Sequence, residues 1–189
     1  GGVIQDDTRI RAALPTIKYI LENKAKTLVL MSHLGDPKKD MEKNKEKAAK
    51  AGKEFNEQEY INGQHKMAPI AAHLSKLIEK EVKVTPDCTG DETKKMVDSM
   101  KEGEIILLEN TRFHKEETGK EEADREKMAK ILAQYGDIYV NDAFGTAHRA
   151  HASTETVAHH LSAVAGFLME KELEFLEEKI VKNPQSPFV

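Results

Sequence analysis

Two hydrophobic periods alternate along this chain, and that alternation limits the fold more than any other feature. Helical spacing appears in Ile10, Leu14, Ile17 and Leu21, then in Met67, Ile70, Ala71, Leu74 and Ile78. It returns in Met96, Val97 and Met100, in Met128, Ile131, Leu132 and Tyr135, and in Met169, Leu173, Leu176 and Ile180. Between these faces lie short continuous apolar runs: Thr27-Leu28-Val29-Leu30-Met31, Ile105-Ile106-Leu107-Leu108 and Ile138-Tyr139-Val140, with a briefer one at Val82 and Val84 and another opening at Phe188-Val189. A run that is apolar throughout suits a strand covered on both faces. Strand and helix in alternation predict a doubly wound α/β fold, a largely parallel sheet with helices on both faces and right-handed crossovers. Asp7-Thr8 reads as the cap of the first helix, and Pro15 predicts a kink inside it.

One stretch breaks the alternation. Residues 38–60 hold seven lysines and six acidic residues among few apolar ones. The pattern predicts a charged surface insertion, partly helical from Met41 to Lys50, in a single domain over residues 1–189. A partner-binding role for this segment is the alternative.

Charge and cysteine content narrow the function classes. The net charge is −4, which gives no global basic signature for nucleic acid or an anionic membrane. No apolar run approaches the ~18 residues of a membrane span, and no secretory leader is legible. Cys88 stands alone, which excludes an internal disulfide framework and reads as a small buried hydrophobe. These features predict a cytoplasmic protein. The chain starts Gly1-Gly2-Val3 and stops at Pro187-Phe188-Val189, which reads as a fragment.

In open parallel sheets, ligands bind beyond the carboxyl ends of the strands. Ser32-His33-Leu34-Gly35 follows the first run, and Glu109-Asn110-Thr111-Arg112-Phe113-His114 follows the 105–108 run. Asn141-Asp142-Ala143-Phe144-Gly145-Thr146, then Ala147-His148-Arg149-Ala150-His151, follow the 138–140 run. Arg9, at the start of the first helix, is within reach of the same edge. Arginine grips carboxylate and phosphate bidentately, and helix N-termini add N–H donors. Basic side chains gathered at one edge of an acidic protein predict a site for a small phosphorylated acid. Read singly, these residues say less. A lone Arg112 is an ordinary surface charge, Asn141 and Asp142 can simply end a strand, and His159-His160 reads as a helix surface. His148 and His151 have metal-compatible spacing without a third ligand, so no metal is expected.

The blocks Asp6-Asp7-Thr8-Arg9-Ile10-Arg11-Ala12-Ala13-Leu14-Pro15, Met31-Ser32-His33-Leu34-Gly35, Leu107-Leu108-Glu109-Asn110-Thr111-Arg112-Phe113-His114 and Asn141 through His151 resemble, in order, the signature blocks of the phosphoglycerate kinase family. Val164-Ala165-Gly166-Phe167-Leu168-Met169-Glu170-Lys171-Glu172-Leu173 continues the likeness. The resemblance implies the Rossmann-like N-terminal domain of a two-domain glycolytic enzyme. That enzyme moves a phosphoryl group between 1,3-bisphosphoglycerate and ADP, giving 3-phosphoglycerate and ATP, with Mg2+ accompanying the nucleotide. It implies a monomer whose hinge closes the two domains together. Arg9 matches the arginine that grips the substrate and steadies the moving phosphoryl group. His33, Leu34, Gly35, Arg112 and Arg149 match substrate-binding positions, and His148 and His151 match the outer patch.

Asp36, at another substrate-binding position, stands where the family carries an arginine, a change expected to repel a bound phosphate unless Lys38 or Lys39 compensates. The family's first strand and its nucleotide domain have no counterpart in this sequence, and no G-x-x-x-x-G-K loop occurs. Loss of that strand implies a gap or an exposed edge in the sheet. The chain is therefore expected to bind 3-phosphoglycerate or 1,3-bisphosphoglycerate, to bind no cofactor itself, and to be inactive without its nucleotide domain. The remaining alternatives are a non-catalytic small-anion module and an interaction protein acting through residues 38–60.

Overall fold

In a computed structural model, which describes residues 4–23 and 25–178 and only the backbone of Gln58 and Asn62, helices and short strands alternate. In chain order they are α1 (Thr8–Glu22), β1 (Leu28–Leu30), α2 (Pro37–Lys50), α3 (Glu57–Gly63), α4 (Ala68–Ile78), β2 (Val82–Val84) and α5 (Asp91–Asp98). Then follow β3 (Ile105–Leu107), α6 (Glu122–Leu132), β4 (Ile138–Asn141), β5 (Ser162–Ala165) and α7 (Phe167–Leu176). The strands form a three-stranded sheet in the order β1-β3-β2 and a two-stranded sheet, β4-β5. Every pairing is parallel.

β3 shows why the sequence alternates as it does. Successive strand residues face opposite sides of a sheet. Ile105 and Leu107 enter one apolar cluster with Ile17 of α1 and Met67, Ala71 and Leu74 at α4. Ile106, with Leu108 just beyond the strand, enters another with Met128, Ala129 and Leu132 of α6, Tyr135, Tyr139 of β4 and Val157. Each fully buried Ile or Leu contributes about 1.5–3 kcal/mol. The doubly covered parallel sheet is the architecture that the apolar runs predict.

Particular elements differ from the sequence reading. β5 is a strand that the patterning does not reveal, because Ser162-Ala163-Val164-Ala165 is short, small and exposed along its length. α1 runs through Pro15 from end to end. Its first turn is held by Asp6 rather than Asp7: Asp6 Oδ1 accepts from Thr8 N at 2.9 Å and Thr8 Oγ1 at 2.6 Å. Asp7 pairs instead with Arg11 and His73. The charged segment folds as α2 and α3, with α2 starting at Pro37 rather than Met41. Among the described residues the strands fall into two separate sheets, where the family resemblance implies a gap or an exposed edge. Ile180 and Phe188-Val189, read as helix and strand, lie outside the described residues.

Candidate anion-binding site

The carboxyl ends of β1, β3 and β4 lead into the loops that carry the predicted site residues. The loop after β3 is the anchor. Thr111 N donates to Ser32 O at 3.1 Å, tying it to the loop after β1. Asn110 is fully buried, and its Nδ2 donates to Leu34 O and to His65 O, both at 2.9 Å. Its Oδ1 accepts from Arg112 N at 3.1 Å, which starts the 3-10 turn Thr111–Phe113. Glu109 Oε1 accepts from Met67 N and Asn110 N, and its Oε2 pairs with Lys66 at 3.2 Å. These hydrogen bonds pin the loop after β3 to its neighbours. Arg112 then reaches across, and its Nη1 donates to Gly35 O at 2.9 Å.

His33 reports on what surrounds it. Burial depresses its pKa first, and Arg112, His151, Arg9 and Arg149 add to the effect, bringing it to about 4. His151 is depressed likewise by burial, then by Arg112, Arg149, Arg125 and His148. The predicted basic residues thus lie near enough to one another to act electrostatically, and His33 is neutral at pH 7. Arg9 is exposed at the start of α1, and Arg149 is exposed after β4. His148 is exposed and accepts from Arg149 Nε at 3.1 Å. His151 is buried.

Asp36 has a structural task. Its Oδ1 accepts from Lys39 N at 3.2 Å and caps α2, which has Pro37 at its first turn. Leu34 is exposed, and Gly35 sits at φ +66°, a conformation that favours glycine.

Three features escape the sequence reading. Glu117 lies buried behind the cluster, accepting Ser153 N at 3.0 Å and Ser153 Oγ at 2.6 Å, with His151 Nδ1 3.8 Å away. Burial raises its pKa, while Ser153, Thr111 and Arg112 oppose the rise. In sequence it is one of a pair, Glu116-Glu117, which looks like solvated charge. Asp142 is a cap at long range: its Oδ1 accepts from Leu168 N at 2.9 Å at the start of α7. A Cβ on Gly166 would collide with that carboxylate, so only glycine leaves room for it. Asp87, Cys88 and His114 bring one donor atom each within 4.8 Å of one another. Their valences are occupied locally: His114 pairs with Asp87, and the Cys88 thiol donates to Glu109 O at 2.7 Å. Burial pushes that thiol far up in pKa, as suits the small buried hydrophobe that the sequence predicts.

Parallel strands between two helical layers, with arginines and histidines at the carboxyl edge, define the class: a Rossmann-like α/β domain. The chain belongs to the phosphoglycerate kinase family, whose model, described as "Phosphoglycerate kinase", matches residues 1–189. The phosphoglycerate kinase of Borrelia turicatae (strain 91E135) is 52% identical over 188 residues, covering 100% of this chain and 41% of the relative. That of Treponema pallidum (strain Nichols) is 46% identical over 189 residues, covering 100% of this chain and 44% of the relative. The crystal structure of phosphoglycerate kinase from Pyrococcus horikoshii OT3 superposes with a TM-score of 0.77 at 32% identity, over 97% of this chain and 40% of that one. The chain thus spans less than half the length of these relatives. Among the described residues, no helix is long and apolar enough to cross a membrane.

Proposed function

We propose that this chain is the acid-substrate-binding part of a phosphoglycerate kinase. It holds 3-phosphoglycerate or 1,3-bisphosphoglycerate during phosphoryl transfer to or from ADP/ATP. The observation that carries this reading is the convergence of Arg9, Arg112, Arg149 and His151 on His33 at the carboxyl edge of the sheet. Arginines supply permanent charge and forked donors for carboxylate and phosphate. The role given to Arg9 is to steady charge on the transferred group, as electrostatic catalysis of phosphoryl transfer requires. His33, Leu34, Gly35, Arg112 and Arg149 bind the acid, and His148 and His151 form the outer patch. Asp36 acts as the α2 cap beside them.

The same donors do not fit Mg2+. The arginines that converge on His33 are cationic, so the reading assigns Mg2+ and nucleotide to the length of the family that this chain does not cover. No step of the chemistry is routed through this chain's residues beyond binding and charge stabilisation. By itself the chain binds without turnover, and ATP formation by the pure chain would overturn that part of the reading.

The direct test is calorimetric titration of 3-phosphoglycerate into the chain at low ionic strength, once circular dichroism shows that it is folded. Micromolar affinity, about −8 kcal/mol, is expected. Arg149→Ala is expected to weaken binding about tenfold or more, as loss of a charge-assisted contact would. A folded chain that binds nothing would sink the reading.

A further inference from the structure

The charged segment does more than decorate the surface. A continuous chain of hydrogen bonds runs from α2 through α3 to the loop after β1. Asn44 Nδ2 donates to Asp40 O at 2.6 Å and to Tyr60 Oη at 3.2 Å. Tyr60 Oη lies 3.3 Å from His65 Nε2, and His65 Nδ1 lies 3.0 Å from Leu34 O. The directions follow from chemistry. A carbonyl only accepts, so His65 Nδ1 carries the hydrogen, while Nε2 faces both Tyr60 Oη and the Asp40 carboxylate, 3.6 Å away. Tyr60 Oη, which accepts from Asn44, joins α2 to the His65 ring through Nε2.

The backbone is adapted to this arrangement. His65 sits at φ +64°, a conformation that is costly for a residue with a Cβ. Its ring packs against Gly35 so closely that a Cβ there would lie 2.8 Å from Cε1 and Nδ1. Its carbonyl accepts from buried Asn110, and Asp36 N, in the same loop, donates to Asp40 Oδ2 at 3.3 Å. The loop held in this way offers Gly35 O to Arg112 Nη1.

We propose that the α2–α3 hairpin is a positioning device for the anion site. Tyr60 and His65 fix the loop from Leu34 to Asp36, and through the Gly35 carbonyl they fix the aim of Arg112. Neither side chain touches the anion; both act through the loop. The substrate named in the proposal rests on the functional reading above, and the geometry of Arg112 does not.

Two readouts keep those apart. The first is calorimetric titration of 3-phosphoglycerate into the folded wild-type chain, His65→Ala, Tyr60→Phe and His65→Asn. His65→Ala should weaken binding about tenfold, as a misaligned charge-assisted contact would. Tyr60→Phe should weaken it less. His65→Asn should recover most of the affinity, because asparagine tolerates positive φ and its amide can donate to Leu34 O. A purely structural role would lower the melting temperature and leave affinity unmoved.

The second readout is the 15N spectrum of the Arg112 guanidinium, which needs no ligand. Distinct Nη signals in the wild type that average together in His65→Ala would support the latch. If the wild type fails to bind 3-phosphoglycerate, the functional reading falls and this spectrum alone decides the positioning role. Unchanged Arg112 signals in His65→Ala overturn the proposal, as does an affinity in His65→Ala equal to that of a wild type that binds.

Discussion

β3 is paired on both edges and buried on both faces, whereas β5 is exposed along its whole length and its partner β4 begins with Ile138 at 63% exposure. Both sheets are parallel, yet they are held by different means. The three-stranded sheet rests on apolar side chains locked between two helical layers. The two-stranded sheet contributes Tyr139 to the core and depends otherwise on polar fastenings. Tyr139 Oη donates to Ser153 O at 3.0 Å, Asp142 caps α7, and Phe167 N donates to Thr16 Oγ1 of α1 at 3.0 Å. Where apolar burial is scarce, specific hydrogen bonds define the arrangement, and each is individually modest.

Mutations can separate the two regimes. The largest effect belongs to the core strand: Ile106→Ala should cost about 2–5 kcal/mol in chemical denaturation, as cavity-forming substitutions do. A loss below about 1 kcal/mol would mean that β3 is not the centre of the fold.

Next comes the edge where the two sheets meet electrostatically. His33 follows β1, while Arg149 and His151 follow β4. The His33 pKa is about 4 in the folded chain against an ordinary value of 6.5. The unfolded chain therefore takes up this proton first as pH falls. The stability contributed by neutral His33 is complete above about pH 6.5 and is lost progressively down to about pH 4, an effect of about 1–2 kcal/mol after solvent screening. Denaturation curves across this range should flatten in His33→Gln. Equal pH dependence in both proteins would show that His33 does not feel the β4 loop.

Smaller effects belong to the fastenings of the two-stranded sheet. Asp142→Ala should lower stability by about 1 kcal/mol, the usual worth of a helix cap, and Asp142→Asn should recover part of it. Tyr139→Phe should cost about 0.5–1.5 kcal/mol by removing one hydrogen bond while keeping the ring. Val164→Ala on β5 should change stability by no more than about 0.5 kcal/mol. A loss at Val164 comparable to that at Ile106 would erase the distinction between the sheets.

The candidate site divides along similar lines. Arg9, His33, Arg112 and Arg149 were legible because each stands at a fixed offset from a strand or helix whose period is visible. Asn110 was visible as part of a loop but not as the staple joining Leu34 to His65. Those two contacts span 76 and 45 residues. Asp36 reads in sequence as a carboxylate set against a phosphate, yet in the fold its side chain turns to the first turn of α2. Tyr60 and His65 sit among lysines and glutamates, where composition points only to solvated charge.

What the sequence determined by itself is what local chemistry controls: which segments coil, which extend, and which loops follow the carboxyl ends of the strands. Those outcomes follow from periods of two and 3.6 residues and need no knowledge of distant neighbours. Tertiary structure alone decided that Glu117 is buried, that Asp142 caps a helix 26 residues away, and that a charged hairpin fastens the loop beside Arg112. A hydrogen bond across the fold requires two groups to meet within about 3 Å. That meeting is set by how whole elements pack and not by any pattern within one of them.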